Sequence, residues 1–275
     1  MNDFRNKYGP WALVAGGAQG IGAAYSHYAA ARGLNVAVID IHQGALDAIR
    51  ADLETRYGIE CLALRVDLGA SDMLEQISTG VGEREIGLLV YNAAIADVGP
   101  FFKPDTGLDF ERRRIAINVS GPMVLTWHFA RPMLARRRGG IVLMSSGSGL
   151  KGAPYYAAYA ATKAYTINLG QSLWHEFKPY GVDVLAVAGG MTLSTAAAGY
   201  QHLDTSTFQT SEQLVDEAME VLGKQPLMIS GEVHRAARKQ LDQLPDEQVI
   251  AFMAQHAIDN FLGGKAPEQA IRDSA

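Results

Sequence analysis

With one cysteine in 275 residues the chain has no internal disulfide to hold it. That residue, Cys61, lies in the apolar run Cys61-Leu62-Ala63-Leu64, where a thiol is expected to be buried and inert. No stretch approaches the roughly 18 uninterrupted apolar residues of a membrane-spanning helix. The start, Met1-Asn2-Asp3-Phe4-Arg5, lacks the apolar core of an export signal. The seven histidines are scattered without paired spacing or a cysteine partner, so no metal site is expected. Neither charge sign dominates: 24 Lys and Arg face 29 Asp and Glu, and a net charge of −5 gives no general attraction to nucleic acid or an anionic membrane. Two basic clusters, Arg112-Arg113-Arg114 and Arg136-Arg137-Arg138, read as solvated helix surface. Repeats, low-complexity linkers and shifts in composition are also missing. These absences point to a cytoplasmic enzyme or binding protein of one domain, residues 1–275, long enough to bury a large core.

What is present alternates. Short apolar runs at residues 11–15, 36–39, 61–66, 86–90, 141–144, 182–187 and 227–229 have the length of buried strands. Between them lie helical patterns at about 23–32, 44–57, 71–81, 109–138, 155–179 and 211–222. Pro122 and Pro132 should kink the long 109–138 helix, since each removes a backbone donor. Residues 189–210 show no period and carry Gly189, Gly190 and Gly199, which reads as a mobile substrate loop; 232–275 reads as a helical C-terminal extension. Strands alternating with helices imply an α/β, doubly wound parallel sheet of about seven strands, the Rossmann type.

In such a sheet ligands bind beyond the carboxyl ends of the strands. Gly16-Gly17-Ala18-Gln19-Gly20-Ile21-Gly22 joins the first strand to the first helix, where glycines let the backbone approach a pyrophosphate and the helix start offers free N–H groups. Asp40 ends the second strand, twenty residues after Gly20, where a carboxylate can bond a ribose diol. Asp67 ends the third and either caps the turn or meets an adenine amino group. Asn92 and Ser146 also follow strands, on the same edge. Tyr159 and Lys163 are one helical turn apart, so a phenol and an ammonium can share one pocket. A neighbouring cation favours the phenolate and makes the pair a proton-transfer device. Tyr155 and Tyr156 have no lysine at that spacing.

Together these residues resemble the short-chain dehydrogenase/reductase family of NAD(P)-dependent oxidoreductases, over about residues 11–195. The family's T-G-x-x-x-G-x-G loop is similar to Ala15-Gly16-Gly17-Ala18-Gln19-Gly20-Ile21-Gly22, with Ala15 in place of threonine, and its N-A-G motif to Asn92-Ala93-Ala94. The family's catalytic residues correspond to Asn118, Ser146, Tyr159 and Lys163, with the usual thirteen-residue Ser-to-Tyr interval. Its P-G-x-V-x-T motif is eroded to Gly189-Gly190-Met191-Thr192-Leu193-Ser194. The resemblance implies hydride transfer between a nicotinamide cofactor and an alcohol or carbonyl carbon. Tyr159 exchanges the proton, Lys163 lowers the Tyr pKa and bonds the nicotinamide ribose, Ser146 orients the oxygen, and Asn118 holds a water linking Lys163 to solvent. It also implies a cofactor-binding set of Gly16, Gln19, Gly20, Ile21, Gly22, Asp40, Asp67, Leu68, Asn92, Ala93 and Ala94, joined by Tyr159, Lys163 and Thr192 at the nicotinamide end. Asp40, with no Arg or Lys at Gln19, Ile41 or His42, favours NAD as cofactor over NADP.

The alternatives are a non-catalytic dinucleotide sensor or scaffold, a methyltransferase on a similar sheet, and an NADPH-dependent carbonyl or 3-oxoacyl reductase. A sensor has no use for the proton relay, and a methyltransferase leaves the Tyr/Lys spacing unexplained. The expected substrate is a small, lipophilic secondary alcohol or its ketone, cyclic or steroid-like. Leu150, Tyr155, Tyr156, Met191, Leu193, Ala196-Ala197-Ala198, Tyr200, Leu203 and Phe208 surround the relay in sequence, and no Arg or Lys lies between Gly189 and Thr210. Resemblance further implies a homo-oligomer, dimer or homotetramer, pairing the two long helices. Ile167, Leu169, Leu173, Trp174 and Phe177 spread over more of the second helix than one sheet contact needs.

Overall fold

A computed structural model describes residues 2–103, 106–193, 205–206 and 208–268. Strands β1 (Trp11–Ala15), β2 (Asn35–Asp40), β3 (Cys61–Arg65), β4 (Ile86–Tyr91), β5 (Gly139–Ser146), β6 (Val182–Gly189) and β9 (Leu227–Ile229) form one parallel sheet of seven, in the order β3-β2-β1-β4-β5-β6-β9. Two two-residue strands, β7 (Thr192–Leu193) and β8 (Gln209–Thr210), pair separately.

The apolar runs are continuous because both sheet faces are covered. Ala12 and Val14 of β1 point into one core with residues of α2 (Gly20–Ala30), α3 (Gln43–Tyr57) and α8 (Ser211–Val221); Trp11, Leu13 and Ala15 point into the other. That second core is closed by α4 (Met73–Val81), α6 (Gly121–Arg136) and α7 (Ala157–Phe177). Leu169, Leu173, Trp174 and Phe177 pack against it and Ile167 is buried, so one sheet contact does account for these apolar residues of α7. Cys61 is buried, and burial pushes its thiol up to about 12.

The long helix is interrupted differently from the simple proline kink expected. α5 (Leu108–Ile115) passes into a π-helical turn, Ala116–Ser120, before α6 begins at Gly121. The Gly121 N–H goes back to the Ala116 carbonyl, and Pro122 has no N–H to give. The Ile117 carbonyl, left without either helical donor, takes the Tyr91 hydroxyl at 2.5 Å from the end of β4. This turn carries Asn118. Pro132 sits inside α6.

A short helix, α1 (Asn2–Tyr8), precedes Pro10, where no element was expected. Of the segment 189–210, residues 194–204 and 207 lie outside the described residues, including Ala196, Ala197, Ala198, Tyr200 and Leu203. Two further helices, α9 (Glu232–Leu241) and α10 (Asp246–Phe261), follow β9. They pack back on the loop before α7: Lys151 pairs with Asp246 at 2.7 Å, and the Tyr156 and Phe261 rings meet edge-on at 5.8 Å. Among the described residues no helix is long and apolar enough to cross a membrane.

Candidate active site

The strand order reverses between β1 and β4, and a cleft of about 460 Å³ opens there, beyond the strands' carboxyl ends. Gly16, Gln19, Gly20, Ile21, Asp40, Asp67, Leu68, Asn92, Ala93, Ala94, Tyr159 and Lys163 all line it. Gly22, Asn118, Ser146 and Thr192 do not.

The first wall is the glycine loop. Gly16 adopts φ +72°, a left-handed conformation, and its N–H bonds the Ile39 carbonyl at 2.7 Å. Asn92 reaches across from β4 and donates to the Gly16 carbonyl at 2.9 Å. Gly22 is buried behind the loop: a Cβ there would stand 1.8 Å from that carbonyl oxygen. It shapes the cradle without touching the cleft. At the next strand end, Asp40 accepts from the N–H groups of Ile41 (2.8 Å), His42 (3.2 Å) and Ala18 (3.3 Å), and from His42 Nδ1 at 3.1 Å. Asp67 is taken by Arg113, which donates through both terminal nitrogens at 3.0 Å, and by the Gly69 N–H at 2.8 Å. Arg113 holds the Asp67 carboxyl below the usual carboxylate range. The basic cluster of α5 is therefore not simply solvated surface: Arg113 is part of the cleft.

The residues expected to transfer the proton come from β5 and α7. Lys163 is buried and donates to the Met144 carbonyl at 2.9 Å; its Nζ lies 5.6 Å from the centre of the Tyr159 ring. Burial pulls its ammonium down from the ordinary lysine range to about 8. Ser146 ends β5 and caps the turn that follows; its Oγ accepts from Ser148 N (3.3 Å) and pairs with Ser148 Oγ (3.0 Å). Either hydroxyl of this pair can donate to the other, and when Ser148 donates the Ser146 proton can go to another oxygen. Ser145, beside Ser146 in the strand, lines the cleft and donates to the Lys163 carbonyl at 2.8 Å, tying β5 to α7.

Asn118 is fully enclosed. Its amide donates to the Ile95 carbonyl (2.9 Å) and Thr162 Oγ1 (3.1 Å) and accepts from the Ile95 N–H (2.9 Å). Both amide hydrogens are spent, which leaves one lone pair of Oδ1 for a water. Thr192 departs from expectation. Its hydroxyl donates to the Gly190 carbonyl at 2.9 Å, and the neighbouring Gly190 and Met191 N–H groups go to Ser230 (2.9 Å) and His234 (3.2 Å). The eroded motif forms a turn braced by Ser230, after β9, and by His234 of α9.

Sequence reasoning missed Arg113, Ile95, Met144, Ser148 and Thr162. Thr162 and Ser148 could have been suspected from their adjacency to Lys163 and Ser146. The others carry no local signal.

The state of Lys163 can be read from stability. Below about pH 8 both native and unfolded chains carry its charge, and the native state bears the burial cost. Between about 8 and the unfolded value near 10.5 the unfolded chain binds more protons, so this site's contribution to stability rises with pH. The Tm of the wild type minus that of Lys163→Met should therefore increase from neutral pH into the alkaline range; a flat difference would contradict the burial account.

Comparisons with known proteins identify the family. The family model for short chain dehydrogenases matches residues 10–205. The chain belongs to that family. A 7beta-hydroxysteroid dehydrogenase from Mediterraneibacter gnavus is 29% identical over 240 residues, 85% of this chain and 90% of the relative. A solved structure of a 7beta-hydroxysteroid dehydrogenase, studied for its stereoselectivity, is 26% identical with a TM-score of 0.86, covering 91% of this chain and 98% of its own. A short-chain dehydrogenase from Sphingobium yanoikuyae, solved in complex with NADPH, is 28% identical with a TM-score of 0.75, covering 85% of this chain and 92% of its own. The protein is an oxidoreductase of the short-chain dehydrogenase type with an NAD(P) site.

Proposed function

We propose that this short-chain dehydrogenase interconverts a lipophilic, ring-bearing secondary alcohol and its ketone, using NAD(H). The observation that carries the reading is the convergence of Tyr159, Lys163 and the glycine loop on one cleft at the strand reversal. The cleft fits a dinucleotide: Gly16 and Gly22 leave no room for side chains where the loop approaches its neighbours, and Asp40 stands at the end of β2. A bound nicotinamide dinucleotide supplies or accepts the hydride. Tyr159 Oη gives its proton to the substrate oxygen in reduction and takes it back in oxidation. The Lys163 charge beside the ring favours the phenolate, and the Ser146 hydroxyl offers its proton to the same oxygen. Asn118 holds the β4 loop against α7 through Ile95 and Thr162.

Asp40 supports NAD over NADP, because a carboxylate accepts from ribose hydroxyls but repels a 2′-phosphate. Arg113, the arginine in the cleft, is committed to Asp67, and His42 to Asp40. The kcat/KM with NAD+ should exceed that with NADP+ by about tenfold or more, equivalent to ~1.4 kcal/mol. Equal or better turnover with NADP+ would overturn the cofactor assignment.

For the substrate, the Tyr156 ring lies 6.4 Å from Tyr159 and 5.8 Å from Phe261, which puts an aromatic wall beside the relay. Lys151, the basic residue of that loop, is neutralised by Asp246. The names of the hydroxysteroid-acting relatives point the same way. The test is kcat/KM across steroid-like and other cyclic alcohols, short polyols and hydroxy acids. Higher efficiency for the polyols or hydroxy acids would defeat the reading.

We also assign a homo-oligomer. The apolar surface that supports it lies on α6, where Met123 and Trp127, one turn apart, are 41% and 67% exposed, with Ile115 at the end of α5 and Tyr165 on α7. Light scattering at micromolar concentration should report a dimer or tetramer, reduced in mass by Trp127→Arg. A monomeric wild type would refute it.

A further inference from the structure

The loop that leaves β4 meets the rest of the molecule at three successive points. Ile95, in the cleft wall, exchanges two hydrogen bonds with the Asn118 side chain, both 2.9 Å. Asp97 forms ion pairs with Arg114 and Lys103. The Gly99 N–H donates to the Tyr155 carbonyl at 2.9 Å, just before the helix that carries Tyr159. Arg114 stands one helical turn before Asn118, so the two contacts on the helix side are stacked along one face. Its side chain is only 3% exposed, an unusual position for a guanidinium. It is held there by Asp97, by Glu111 at 3.0 and 2.8 Å, and over the Phe110 ring at 4.9 Å.

We propose that Asp97 and Arg114 are a positioning pair that fixes Ile95 against Asn118, and with it the cleft wall formed by Ala94, Ile95 and Ala96. This rests on the functional reading above for its consequence, though not for its geometry. Neither residue touches the cleft surface, so their effect on binding and turnover passes through the loop. Burying the guanidinium has a desolvation cost that a surface arginine avoids, and the bond to Asp97 turns that cost into a rigid link between loop and helix.

Arg114 has two carboxylate partners, and this makes the inference separable from simple stability. Asp97→Asn removes the partner on the loop and leaves Glu111 to compensate the buried charge; it also breaks the Lys103 pair, which Lys103→Met removes alone and which should leave the Ile95 exchange unchanged. Glu111→Gln removes the partner on the same helix and leaves the loop attached. Hydrogen–deuterium exchange of the cofactor-free protein reads the Ile95 amide directly. Asp97→Asn should accelerate its exchange by about tenfold or more, by raising the population of locally opened loop. It should also weaken NAD(H) binding several-fold and lower kcat/KM, while Glu111→Gln should alter none of the three. Asp97→Glu, which keeps the charge but displaces the carboxylate by one methylene, should show the exchange effect in smaller degree and serves if Asp97→Asn folds poorly. Equal exchange in the Asp97 and Glu111 variants, or unchanged exchange in the Asp97 variants, would overturn the proposal. If the wild type turned over no alcohol in the panel, the functional reading would fail while the exchange result still decided this one.

Discussion

Tyr159→Phe is expected to lower kcat by about a thousandfold or more, within the range a positioned acid–base group contributes, and to leave dinucleotide affinity unchanged. The ring keeps its place between Tyr156 and Lys163, and only the hydroxyl is lost. Lys163→Met, by contrast, should damage both turnover and binding, because the side chain also anchors to Met144 in the cleft wall. Stopped-flow turnover and fluorescence titration of NADH on the same preparations separate the two effects. A near-native rate in the Phe variant would mean that another acid transfers the proton.

Gly22→Ala should be nearly as damaging, for a steric reason. The new methyl would stand 1.8 Å from the Gly16 carbonyl oxygen and 2.8 Å from Asn92 Nδ2. Both belong to backbone or a braced side chain, so the loop itself must move. Overpacking of this kind costs about 1–3 kcal/mol or more in stability. The displaced loop should weaken dinucleotide binding by at least about a hundredfold, equivalent to ~2.7 kcal/mol. Gly44→Ala in α3 is the control: nothing lies within 4 Å of its added methyl, and it should be neutral or slightly stabilising. Thermal unfolding and dinucleotide titration of the two variants should therefore differ sharply. Similar behaviour would show that the cradle tolerates a side chain.

The contrast between Gly22 and Arg113 shows what can be read before folding. A buried strand is legible because both faces require apolar residues without a break, as in Trp11–Ala15. The glycine loop, Asp40 and the Tyr159/Lys163 turn are local patterns, and each lies within one element or one connection. The interruption of the long helix was legible only as a proline effect. Its actual form depends on Tyr91 supplying a donor to Ile117 from 26 residues away. The three consecutive arginines of α5 read as a solvated charge run. Their separate duties appear only when the fold brings Asp67 to Arg113 and Asp97 to Arg114, across 46 and 17 residues. Arg114 also keeps a local partner, Glu111, and Arg112 pairs with the exposed Asp109 three residues away. Thr192 is the opposite case: motif spacing puts it at the cofactor, while in the structure its hydroxyl closes on the Gly190 carbonyl of its own turn, outside the cleft lining. The apolar residues of α7 were counted as surplus because the pattern cannot say how much of a helix the sheet covers.

Hydride transfer between an alcohol carbon and a nicotinamide leaves an atom that can be followed. It is tested most directly with a steroid-like secondary alcohol deuterated at the carbinol carbon, incubated with NAD+ and analysed by mass spectrometry. Deuterium should appear in the reduced dinucleotide in step with formation of the ketone, and Tyr159→Phe should abolish both. Reduced dinucleotide without the label, or no reduction by any alcohol of the panel, would contradict it.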